Sequence, residues 1–166
     1  NQDGAYADGM SIPGDSLSRS GYRLATTDEW EMACRGRCET YWSIGQDVEL
    51  LDRYAWSLSN SGIHSHPVAS LRPNDLGLFD MHGNVWEWCH NIVDELGRSI
   101  AHDTSEIRYV TNETFIAMRG GTYLTDPQSL GTSSGNWNVA SKRTNADGFR
   151  VARTLTSAHQ RNASND

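Results

Sequence analysis

The apolar positions of this 166-residue chain fall in short runs between long polar stretches, the pattern of brief strands and loops with little helix. Residues 1–21 are rich in Gly, Ser, Asp and Asn and read as a leading loop, with a turn at Ile12-Pro13-Gly14-Asp15. The first helical signal begins at Thr26. Thr26 followed three residues later by Glu29 is a capping box. Asp28, Glu29 and Glu31 place negative charge in the first turn, where the helix dipole favours it. Trp30, Ala33 and Cys34 lie at helical spacing, and Gly36 supplies a stop. Glu49 to Trp56 predicts a second short helix, residues 57–67 return to loop, and Val68-Ala69-Ser70 reads as a brief extended piece.

The segment from Arg72 to Cys89 carries the most information. It opens on a Pro73-Asn74-Asp75 turn signal, breaks at Gly83-Asn84, and ends in the strand-prone Val85-Trp86-Glu87-Trp88. Residues 94–114 are polar and read as a loop insertion. Phe115-Ile116-Ala117-Met118 reads as a strand, and Gly120-Gly121 marks a bulge or a close backbone approach. Residues 124–147 are dominated by small polar side chains. Gly148 to Arg153 alternates apolar and basic residues and predicts one closing strand. The domain is thus expected over 22–154, with 155–166 a polar tail.

Composition narrows the function. The formal charge is −7 with no lysine- or arginine-rich run, which disfavours nucleic acid or an anionic membrane as partner. No apolar stretch is long enough to span a bilayer, so membrane insertion is not expected. Clustered acids suit a hard cation such as calcium. The three cysteines, Cys34, Cys38 and Cys89, allow at most one internal disulfide. A Cys34–Cys89 bridge and buried free thiols both fit. His64, His66, His82 and His90 read as hydrogen-bonded or solvent-facing rather than as a transition-metal set. No targeting signal is visible and the first residue is Asn1, so the compartment stays open.

Four strings then occur in order: Tyr22-Arg23-Leu24 with Glu29-Trp30-Glu31; Gly77 to Trp88; Arg119-Gly120-Gly121-Thr122-Tyr123; and Gly148 to Arg153. Together they resemble the C-terminal portion of the sulfatase-modifying-factor, or formylglycine-generating-enzyme, domain family. The resemblance implies an α+β, C-type-lectin-like fold, loop-rich, with short twisted strands and one or two helices. It implies that the family's N-terminal portion lies outside this sequence and is supplied by another segment or chain. It implies a structural calcium ion held by side-chain oxygens of Asp80 and Glu87 and carbonyls of Gly83 and Val85. Family oxidases carry two copper-binding cysteines shortly after the Arg-Gly-Gly string. The corresponding positions are Thr125 and Leu130, so no copper is expected. A family disulfide from the position of Cys34 to the closing strand is absent, because that strand has Val151. Arg119 and Arg150 are expected in internal ion pairs, with Arg23 and Glu29 as candidate partners.

The family's ligand groove maps onto residues 124–147. Tyr123, Asp126, Asn136, Trp137, Asn138, Lys142 and Arg143 are the candidate contacts, since small polar side chains around an aromatic suit adaptable recognition. The leading expectation is a non-catalytic module that recognises a protein, peptide or glycan. The alternatives are a formylglycine-generating or related oxidase acting on a sulfatase cysteine, and a structural subunit of a larger assembly.

Overall fold

The computed structural model describes residues 6–100 and 106–155. Strands β1 (Ser11–Ile12) and β2 (Gly21–Leu24) precede helix α1 (Thr27–Arg35), followed by a 3-10 helix over Val48–Arg53. Strands β3 (Trp86–Ile92), β4 (Arg108–Tyr109), β5 (Phe115–Arg119), β6 (Gly135–Val139), β7 (Asp147–Phe149) and β8 (Val151–Thr154) complete the order. The centre is a four-stranded sheet in the order β6-β5-β3-β7, with β3–β5 and β5–β6 antiparallel and β3–β7 parallel. Two small antiparallel ribbons, β1–β4 and β2–β8, flank it.

The sheet is buried on both faces, which explains the continuous apolar run of β5. Successive strand residues point to opposite faces. Ile116 and Met118 therefore join Tyr6, Ile12, Trp88, Val110 and Ala140 in one core. Ala117 joins Trp30, Cys34, Met81, Cys89 and Val93 in the other. A third cluster of Trp42, Leu51, Ala55 and Leu130 fills the loop-rich end. The segment read as a leading loop thus contributes Tyr6 and Ile12 to the main core, and the Tyr6 hydroxyl donates to the Cys89 carbonyl at 2.5 Å.

Helix α1 starts where its cap dictates. The Thr26 hydroxyl accepts the Glu29 N–H at 3.1 Å, and the Glu29 carboxylate accepts the Thr26 N–H at 2.9 Å. Trp30 and Cys34, one turn apart, face the sheet. Gly36 closes the helix at φ 63°, with its N–H on the Met32 carbonyl.

Four local expectations change. Val68–Ser70 is a turn, not an extended piece, because Ala69 sits at φ 59° with its N–H on the Asp80 carboxylate at 2.7 Å. The polar 94–114 insertion contains β4, and the 124–147 loop contains β6, an edge of the main sheet. The single closing strand is two strands broken at Arg150, which pair in different sheets. The expected tail from 156 onward lies outside the described residues.

The glycine at the 83 break has no substitute. Gly83 has φ 76°, and a Cβ there would lie 2.0 Å from the Trp56 carbonyl oxygen. Gly9 has a similar φ of 73° with nothing within 4 Å of the same added atom. Gly9→Ala is expected to cost about 1–2 kcal/mol from backbone strain alone, and Gly83→Ala clearly more, as read from urea-denaturation midpoints.

Candidate functional site

The site is built from the loop that feeds β3. Asn74, from the predicted turn, is buried and serves two elements at once. Its Oδ1 accepts the N–H groups of Leu76 and Leu78 at 3.0 Å, and its Nδ2 donates to the carbonyls of Ala33 and Cys34 at 2.7 and 3.1 Å. The turn is thereby locked onto the end of α1, whose last carbonyls lack helical partners. Asp80, Gly83 and Asn84 then take positive φ in quick succession. The curl is held by Gly83 N–H on Gly120 O at 2.7 Å, Asn84 N–H on Trp56 O at 2.8 Å, and Tyr123 N–H on Asn84 O at 2.9 Å.

Asp80, Gly83, Val85 and Glu87, the four residues expected to hold calcium, line one cavity of about 580 Å³ together with Phe149 and Arg150. Asp80 Oδ2 is taken by Ala69, while Oδ1 is buried without a hydrogen-bond partner. Glu87 is more committed. Arg150 grips it through Nε and Nη2 at 2.6 and 2.7 Å, and Trp30 Nε1 donates to it at 2.6 Å. A carboxylate offers about four acceptor positions, so these three donors leave one on Oε1. The orphaned Asp80 oxygen and this last position are the two open carboxylate acceptors of the set.

The expected ion pairs form with different partners. Arg23 and Glu29 pair with each other at 2.6 Å, Arg119 pairs with Glu31 at 3.2 Å, and Arg150 with Glu87. Glu29, singled out in the helix's first turn for the dipole, thus also anchors β2, and Glu31, in the following turn, anchors β5.

Thr125 and Leu130, the positions that the resemblance sets against family thiolates, are engaged within the fold. Gly120 and Gly121 turn the chain at φ 96° and 78°. The Thr125 hydroxyl then accepts the Thr122 N–H at 3.0 Å. Leu130 is 1% exposed in the third apolar cluster. All three cysteines are free. Cys34 and Cys89 are buried in one core, and burial pushes each thiol up to about 12, far from the thiolate form that binds metal or reacts.

Sequence reasoning did not single out the contact that binds these loops together. The buried His82 ring donates from Nδ1 to the Leu130 carbonyl at 2.8 Å. That fixes Nε2 as an acceptor, which takes the Ser43 hydroxyl at 2.9 Å and lies 3.7 Å from Cys34 Sγ. His66 stacks on Trp56 with ring centroids 3.7 Å apart and bonds Ser61 O.

The candidate recognition residues divide. Tyr123 is buried at 3% exposure. Asp126 caps a short 3-10 turn through Gln128 N–H. Arg143 holds the carbonyls of Ala140, Lys142 and Tyr6. Asn136, Trp137 and Asn138 lie on β6, with Trp137 38% exposed, and Lys142 is exposed just beyond. One edge of the Trp137 ring closes against Gly97, where a Cβ would come within 2.4 Å of it.

Residues 2–155 match the family described as "Sulfatase-modifying factor enzyme 1-like domain", and the chain belongs to that family. Its α+β fold is the C-type-lectin-like fold of this family. The structure is similar to Treponema denticola variable protein 1, with a TM-score of 0.69 and 28% identity, over 82% of this chain and 49% of that one. The sequence is 33% identical over 82 residues to the formylglycine-generating enzyme of Thermomonospora curvata, covering 42% of this chain and 27% of the enzyme. It is 36% identical over 78 residues to the inactive C-alpha-formylglycine-generating enzyme 2 of Bos taurus, covering 41% of this chain and 26% of that protein. The chain therefore spans about half the length of that structural relative and about a quarter of those two curated relatives.

His82 makes stability pH-dependent. Burial lowers its pKa from 6.5 to about 4, against an opposing contribution from the Leu130 carbonyl. Between those two values the unfolded chain binds a proton that the folded chain does not, so stability rises with pH across this window and is lost as pH falls through it. The loss is expected to reach about 3 kcal/mol near pH 4. His82→Gln should flatten the slope of denaturation midpoint against pH.

Proposed function

We propose that this chain is a non-catalytic member of its family, a recognition module for a protein, peptide or glycan. The observation that carries this reading is the pair Thr125 and Leu130. A hydroxyl engaged by a backbone N–H and a buried isobutyl group stand where the resemblance places two thiolates. Neither is a soft ligand for copper. The similarity to an inactive relative as well as to an active one supports separating the fold from the oxidation. Recognition falls to the exposed end of β6 and the turn after it, through Asn136, Trp137, Asn138 and Lys142. Trp137 supplies a rigid amphipathic surface between small polar neighbours.

Exposed apolar side chains on and beside the β2–β8 ribbon favour one addition to this reading. Tyr22 is 75% exposed, and Phe149 and Val151 are each 60% exposed. A further segment of the family domain, on this polypeptide or another, covers that face.

Two measurements test the proposal. Aerobic incubation with copper and a cysteine-containing peptide is expected to give no formylglycine and no oxygen uptake; stoichiometric copper with turnover would overturn it. On peptide and glycan arrays, Trp137→Ala is expected to lose binding by tenfold or more, as for an aromatic hot spot worth at least about 1.4 kcal/mol.

Calcium belongs to the same proposal as a structural ion on Asp80, Gly83, Val85 and Glu87, where it would neutralise the orphaned Asp80 oxygen and stiffen the 80–87 curl. Calcium at about a hundred times its dissociation constant is expected to stabilise the domain by about 2.7 kcal/mol. The rise in melting temperature should vanish with chelator and in Asp80→Ala.

A further inference from the structure

Strand β6 ends the main sheet, and among the described residues no strand lies beyond it. Such an edge presents unpaired backbone groups that template pairing with another chain, and proteins usually protect it with charge, proline or a bulge. Gly135-Asn136-Trp137-Asn138-Val139 has no charge and no proline, and its register with β5 runs unbroken from Gly135 to Val139. The protection lies in the side chains of two asparagines. Ala140 donates inward to Thr114 at 2.8 Å. Alternation along an antiparallel ladder then points the N–H groups of Asn138 and Asn136 inward and those of Val139 and Trp137 outward. The Trp137 and Val139 donors are each covered by the residue before them, while Gly135, at the start of the strand, has no such cover. Trp137 N–H donates to Asn136 Oδ1 at 2.9 Å, and Val139 N–H to Asn138 Oδ1 at 3.0 Å.

We infer that β6 is a closed strand-addition edge, held shut by Asn136 and Asn138, whose release lets a second copy of this chain pair antiparallel across Trp137. The self-complementarity of the strand selects the second copy as occupant. Asparagine flanks Trp137 on both sides, so a two-fold pairing centred there sets Trp137 against Trp137 and Gly135 against Val139. These are the odd-numbered residues whose N–H groups face outward; the Val139 carbonyl also accepts the Lys142 N–H at 2.9 Å, which leaves it one lone pair for a partner strand. Asn136 and Asn138 then oppose each other on one face, where their freed amides can pair across the strands. The inference shares Asn136 and Asn138 with the proposed recognition surface, but it rests on their hold on the Trp137 and Val139 N–H groups and not on any ligand contact.

The test is the oligomeric state and edge protection of the 166-residue chain. By light scattering at about 100 µM, the wild type is expected to be monomeric and Asn136→Ala/Asn138→Ala dimeric. Adding Val139→Pro, which removes an outward donor from an edge strand that tolerates proline, should return the monomer. At dilutions where the double variant is monomeric, the Trp137 and Val139 amides should exchange hydrogen about tenfold faster than in the wild type, the loss of one hydrogen bond each. This reading survives even where the triple variant fails to fold. A double variant that stays monomeric with unchanged exchange overturns the inference, as does a dimer indifferent to Val139→Pro. An open-ended aggregate, or a monomer that instead captures an added threonine-valine repeat peptide, overturns the second copy as occupant. Loss of array binding in Trp137→Ala bears only on recognition, so the two ideas fail separately.

Discussion

The carboxylate of Glu87 is the junction on which the rest of the structure depends. It lies in β3, at the middle of the main sheet, and receives Trp30 from α1 and both arms of Arg150 from the point between β7 and β8. Three elements far apart in the chain are thus fixed relative to one another by one nearly buried anion. A buried ion pair adds little net stability compared with apolar packing, but removing one partner leaves a costly unpaired charge. The interaction therefore acts chiefly on geometry. It sets where the last strand leaves one sheet for another and where α1 lies across the core.

Around that junction the loops are held by side chains rather than by ladders. Asn74 ties the 74–78 turn to the end of α1, Asn84 brackets both backbone groups of His66, and His82 joins the 41–43 segment to Leu130. Each places a polar group in the interior with its partners satisfied, as such groups must be. The thiols fit the same logic. Cys34 and Cys89 fill core volume as small apolar groups, and Leu130 serves twice, with a side chain that packs and a carbonyl that fixes the His82 ring.

Much of this was legible in the sequence, and the exceptions are instructive. The capping box at Thr26 and Glu29 located α1 because it is a purely local device. The Phe115–Met118 run read as strand because both faces of β5 are buried. Strand β6 was hidden because its glycine and two asparagines are strand-poor and its Asn-Trp-Asn-Val alternation is only four residues long inside a Ser-, Thr- and Gly-rich stretch; its pairing comes from β5 alone. The break at Arg150 was hidden because, although an internal ion pair was expected there, its partner Glu87 lies 63 residues away and no spacing identifies it. The coordinating set proposed at 80–87 came from resemblance. The orphaned Asp80 oxygen, its physical support, depends on Ala69 closing on the other oxygen, a contact across the loop that no spacing reveals.

The split pairing of residues 147–154 bears on how the chain acquires its structure. The β2–β8 ribbon joins Gly21 to Thr154, and β7 docks beside Trp88 in the centre of the main sheet. Closing such distant loops is entropically slow. A ribosome would have to release almost the whole domain before either pairing could form. Until then β3 has one side open and the Glu87 carboxylate waits without its guanidinium. The nascent chain is therefore held in an incomplete state until β7 and β8 emerge, and the locking of this sheet is the work of those two strands.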